Sequence, residues 1–143
     1  MIRTALVLAG LGLGLTAVMA QSNPIAERQQ AMKAIGAATR EGAAMAKGDV
    51  PFDAAKAQAV FKTYSDSAKK ASTLFPDTAR TGGETTAAPK IWEDQAGFKA
   101  AFAKFEADAA AGASVTSLDG FRTAFGAATK NCGACHEAYR VKK

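Results

Sequence analysis

From residue 24 onward, apolar residues recur along this chain at steps of three and four, the period of an amphipathic helix, and no stretch alternates with the period of two that marks a strand. Alanine, the best helix former, is abundant throughout. Punctuation residues divide the pattern into four blocks. The first covers about 24–47: Ser22 or Asn23 can cap it, Pro24 suits the first helical position, and Gly48 suits its stop. Its inward stripe reads Ile25, Met32, Ile35 and Thr39, with Arg28 on the same side. The second covers about 53–75, between Pro51-Phe52-Asp53 and Pro76, with Ala57, Phe61, Tyr64, Ala68, Ala71 and Phe75 on one face. The third covers about 90–111 and ends at Gly112, with Ile91, Gln95, Phe98, Phe102, Phe105 and Ala109 as its stripe. The fourth covers about 117–140 and carries Leu118, Phe121, Phe125, Ala128, Cys132, Cys135 and Tyr139 without a break in the period. Four such helices with mostly short links predict an all-α, antiparallel up-down four-helix bundle. The longest link is 76–89.

The first residues read differently. One positive charge at Arg3, an apolar run from Ala5 to Ala20 and the end Val18-Met19-Ala20 match a cleaved secretory signal. A membrane anchor is the alternative, but the run is short of the roughly 20 apolar residues of a spanning helix and rich in Gly. Cleavage after Ala20 takes 20 of the 143 residues and leaves 21–143, 123 residues, as one domain. It also removes Arg3, lowering the formal charge from +5 to +4. The basic residues gathered at the end, Lys130, Arg140, Lys142 and Lys143, come with no nucleic-acid motif, so a rim steering an acidic partner is the better reading.

The chemistry sits at Cys132-Gly133-Ala134-Cys135-His136, a C-x-x-C-H attachment pattern for haem c. On a helix these three side chains share one face. A disulfide or a redox dithiol is the alternative, but thioredoxin-like pairs sit among strands, and zinc wants four ligands where three are present. Because both thiols continue a core stripe, the haem they hold enters the bundle interior. His136 is the one histidine, which excludes a second imidazole ligand. Of the methionines outside the signal, Met32 lies near the start of the first helix, beside the end of the fourth. Met45 lies roughly 20 Å further along, at the wrong end. Arg28, on the inward side, needs a partner such as a haem propionate, unless it is a rim residue in water. Arg140, four residues after His136, either edges the proximal pocket or neutralises the helix C-terminus. Trp92 reads as packing.

The C-terminal Cys132–Arg140 segment, together with Arg28-Gln-Gln-Ala-Met32-Lys33, Pro51-Phe52-Asp53-Ala54-Ala55, Leu74-Phe75-Pro76 and Pro89-Lys90-Ile91-Trp92, resembles the class II c-type cytochromes, cytochrome c′ and its low-spin relatives. The resemblance implies a periplasmic, usually dimeric four-helix bundle with one covalent haem c. It implies His136 as proximal ligand, Cys132 and Cys135 as thioether attachments, Arg28 near the propionates, Arg140 beside the histidine and Met32 at the distal position. The family divides there: a ligating Met makes an electron carrier serving redox partner proteins, and a merely blocking side chain leaves a five-coordinate iron that binds NO or CO. The expectation is the carrier, with no turnover chemistry, since the chain offers no acid/base or nucleophile constellation.

Overall fold

The computed structural model describes residues 23–142, so the expected signal at 1–20 lies outside the described residues. Helix α1 is Pro24–Lys47. Asn23 caps it by accepting from the Ala26 N–H at 3.1 Å, and Gly48 closes it in the left-handed region at φ 86°. Helix α2 is Ala54–Ser72, capped by Asp53, which accepts from the Lys56 N–H at 3.0 Å. It stops short of the expected residue 75. Pro76 disfavours helical backbone before it, and the carbonyls of Leu74 and Phe75 turn to other donors, Arg28 Nη1 and Trp92 Nε1.

The third predicted block is broken. It forms α3 (Lys90–Glu93) and α4 (Gln95–Ala111), separated by Asp94 at φ −129°, ψ 62°. The Asp94 carboxylate accepts from the Gly97 N–H at 3.0 Å and so starts a new helix. The break turns Gln95 out to solvent, although the uninterrupted stripe had placed it inward. Helix α5 is Leu118–Tyr139, capped by Ser117.

The four long helices pack in a ring, α1 on α2, α2 on α4, α4 on α5 and α5 on α1, as an up-down bundle requires, and the last seam is the loosest. The core holds two aromatic clusters; in one, Phe61, Tyr64 and Phe121 are fully buried and meet Phe105 and Phe125 at ring separations of 5.3–6.4 Å. Each such side chain contributes about 1.5–3 kcal/mol on burial. Glycine permits the closest approach. A Cβ at Gly42 would lie 2.4 Å from the Phe125 ring. Along α1 the sealed positions are Arg28, Ala31, Ile35, Ala38, Gly42 and Met45, while Ile25, Met32 and Thr39 are half-buried. The flank of α1 that carries Met32 and Gly36 opens on a cavity.

Candidate functional site

At the open seam between α1 and the end of α5 lies a cavity of about 600 Å³, within the size range of cofactor sites. Met32, Phe98, Phe102, Cys135, His136 and Tyr139 are among its walls. A smaller cavity of about 50 Å³ adjoins it, lined by Met32, Phe102, Phe105, Asn131, Cys132, Cys135 and His136. Both expected thiols, the histidine and the α1 methionine therefore converge, and Met32 and His136 border both spaces. Met45 is sealed in the core, 1% exposed, and borders neither.

Neither cysteine is in a disulfide. Burial pushes both thiols above their usual pKa, keeping them protonated. Burial, and then the positive charge of Arg140, pull the His136 imidazole below its usual value, which favours the neutral ring with a free lone pair. Arg140 and Lys33 lie on the cavity mouth with Arg40.

Arg28 is neither a rim residue in water nor unpartnered. Only 4% exposed, its guanidinium donates to the carbonyls of Leu74 (3.1 Å) and Ala79 (3.0 Å) and to Thr85 Oγ1 (2.7 Å), and stacks over Phe75 at 4.7 Å. Burial draws its pKa down. Ala79 and Thr85 come from the long link, which folds into a strap over the cavity edge, with Glu84, Thr85, Thr86 and Ala87 on the wall. Its far end bridges to the chain after α5: Ala88 N–H donates to Tyr139 O at 3.0 Å, and Val141 N–H to Thr86 O at 2.9 Å. Trp92 packs as expected, its edge on Phe75 and its indole N–H on the Phe75 carbonyl at 3.1 Å.

Sequence reasoning missed Thr85, read Phe102 as core alone, and missed Asp94, which holds Tyr139 of the cavity wall. An Asp followed three residues later by Gly, inside a helical pattern, was the available signal for Asp94.

An apolar slot with two thiols and an imidazole on one helix face, and cationic groups at its mouth, fits a flat group with an apolar body and carboxylate edges. The family model described as Cytochrome C′ matches residues 23–140. The chain belongs to the cytochrome c′ family. Proteins of this family carry a covalently bound haem c, and this chain is a haem protein of the cytochrome c′/c-556 group. It is 41% identical to a cytochrome c′ of Rhodopseudomonas palustris over 92% of this chain and 90% of that one. It is 42% identical to a cytochrome c-556 of Agrobacterium fabrum over 83% and 82%. The solved structure of cytochrome c′ from Rhodopseudomonas palustris superposes with a TM-score of 0.81 at 41% identity, covering 86% of this chain and 99% of that one. A variant cytochrome c prime from Alcaligenes xylosoxidans, solved in complex with nitric oxide, superposes with a TM-score of 0.73 at 30% identity, over 82% and 94%. Among the described residues, no helix is long and apolar enough to cross a membrane.

Proposed function

We propose that this cytochrome is a periplasmic electron carrier whose haem is attached through Cys132 and Cys135 and ligated by His136 and Met32. The observation that carries the reading is that Met32 of α1 and His136 of α5 border the same two cavities, one of which is also bordered by both cysteines. The haem supplies a one-electron couple whose potential depends on axial ligands, burial and hydrogen bonding. The chain lowers the pKa of His136, excludes water with Phe98 and Phe102, and offers Arg28 at the cavity edge for the propionates, with Arg140 beside the histidine. Lys33, Arg40 and Arg140 have no carboxylate partner among the described residues and would steer an acidic redox protein to the mouth. The expected signal at 1–20 supports export, with 21–143 as the working domain and a homodimer as its assembly by likeness to the family.

One observation favours a second reading: a relative that shares the bundle has been solved with nitric oxide. There Met32 would only cover the distal face and the iron would bind NO or CO. Optical spectra of the oxidised and reduced holoprotein, repeated with CO, separate the two. Low-spin spectra unmoved by CO support ligation by Met32, and Met32→Leu must then change the spin state. A high-spin spectrum that shifts with CO would sink ligation by Met32. A chain whose mass lacks the haem would end both.

A further inference from the structure

The imidazole of His136 makes no hydrogen bond to any described residue. Metal-bound histidines generally have their second nitrogen held by a neighbouring acceptor, which fixes the ring. Among the described residues, what orients this ring is the helix that carries it. That helix is fastened one turn further on. Tyr139 donates its hydroxyl to Asp94 Oδ2 at 3.0 Å, and the other oxygen of the same carboxylate starts α4 by accepting from Gly97 N–H at 3.0 Å. The Tyr139 ring stands edge-on to Phe98 at 5.2 Å. Its carbonyl accepts from Ala88 of the strap.

The arrangement is built around a missing side chain. A Cβ at Gly97 would lie 2.5 Å from Asp94 Oδ2 and 2.6 Å from the Tyr139 hydroxyl, so glycine there leaves room for the bond. The break between α3 and α4 serves the same end, because Asp94 in continuous helix could not both cap α4 and receive Tyr139.

We propose that Tyr139 is a positioning residue for His136: its hydroxyl, latched to Asp94 over Gly97, fixes the last turn of α5 and so the angle at which the imidazole meets the haem iron. This rests on the ligation of the iron by His136. Tyr139→Phe removes the latch and keeps the ring packing. Asp94→Ser removes it while keeping a serine cap for α4. The holoproteins are compared with the parent by electron paramagnetic resonance, by midpoint potential and by amide hydrogen exchange. Both single variants are expected to shift the resonance signature and the potential in the same direction. The double variant should shift them no further than the larger single, as for two ends of one bond. Exchange at Arg140 and Val141 should quicken about tenfold, the loss expected for one hydrogen bond on the scale of local opening. Phe121→Leu, near the other end of α5, is the control that lowers stability and leaves the potential in place. Parental resonance and potential in Tyr139→Phe, even with faster exchange, would overturn the proposal, as would additive shifts. A parent holoprotein without an imidazole-ligated iron would overturn the ligation as well, so the two failures are told apart.

Discussion

Arg28→Met is the most informative single substitution outside the proposed iron ligands, because it tests whether a buried guanidinium holds the strap. The arginine makes three charge-assisted hydrogen bonds, to Leu74 O, Ala79 O and Thr85 Oγ1, across 46, 51 and 57 residues of chain. Bonds to charged groups are worth about 1.5–3 kcal/mol each. Two terms reduce the sum. Methionine escapes the cost of burying a charge, and the Leu74 carbonyl and Thr85 hydroxyl, which are part-buried, can find water. The Ala79 carbonyl is buried and keeps its full penalty of about 1–3 kcal/mol. A net loss of about 3 kcal/mol follows. For a domain of this size that corresponds to a fall of roughly 12 °C in Tm, at about 4 °C per kcal/mol. Thermal unfolding of the holoprotein, followed by circular dichroism, measures it, and hydrogen exchange over 76–89 should quicken in parallel. Arg28→Lys should fall between, since an ammonium keeps the charge but not the fork. A loss under about 0.5 kcal/mol, the usual effect of a surface substitution, would refute the clasp.

Two glycine substitutions should act in opposite directions. Gly42→Ala puts a methyl group against the Phe125 ring, and overpacking costs about 1–3 kcal/mol, more than the roughly 1 kcal/mol of helix propensity it gains. Gly126→Ala, where a Cβ meets nothing within 4 Å, should stabilise α5 by up to about 1 kcal/mol. Denaturant melts read both, and equal signs would contradict the packing. Tyr64 is fully buried, and burial pushes its hydroxyl up to about 12. A folded pKa raised above the unfolded value means stability is complete below about pH 10 and is lost as pH rises toward 12. Tyr64→Phe should therefore flatten the alkaline limb of a stability–pH curve, while costing about 1 kcal/mol at neutral pH for the bond to Thr39 Oγ1 at 2.8 Å.

Local signals were legible where one residue type does one job. Asn23, Pro24 and Gly48 set the ends of α1 where the sequence predicts them, and the stripe from Ala57 to Ala71 is the buried face of α2. The C-x-x-C-H run lies on the helix face that borders the two cavities. What resisted reading depends on partners distant in sequence. The end of α2 is decided by Arg28 and Trp92, which take the carbonyls of Leu74 and Phe75. The break at Asp94 is favoured by Tyr139, 45 residues away. The oxygens of Ala79 and Thr85 that Arg28 meets were not legible, because they belong to a link with no periodic pattern of its own. The order of the helices was legible from their number and short connections. The wall that closes the cavity was not.

That wall also bears on the order of assembly. The helices are local structures, whereas the strap is tied to α1 and to the end of α5 by contacts of long sequence separation, which form late because chain entropy must be lost first. The turn that bears Cys132, Cys135 and His136 can thus take shape while the side facing Thr85 and Thr86 is still open. Pulse-labelled exchange during refolding would see protection of α5 precede protection of Val141, whose N–H is closed by Thr86. The strap is thus the bolt that shuts the chamber. A large rigid group can be installed from the side before the bolt is drawn, with no need for the finished bundle to reopen.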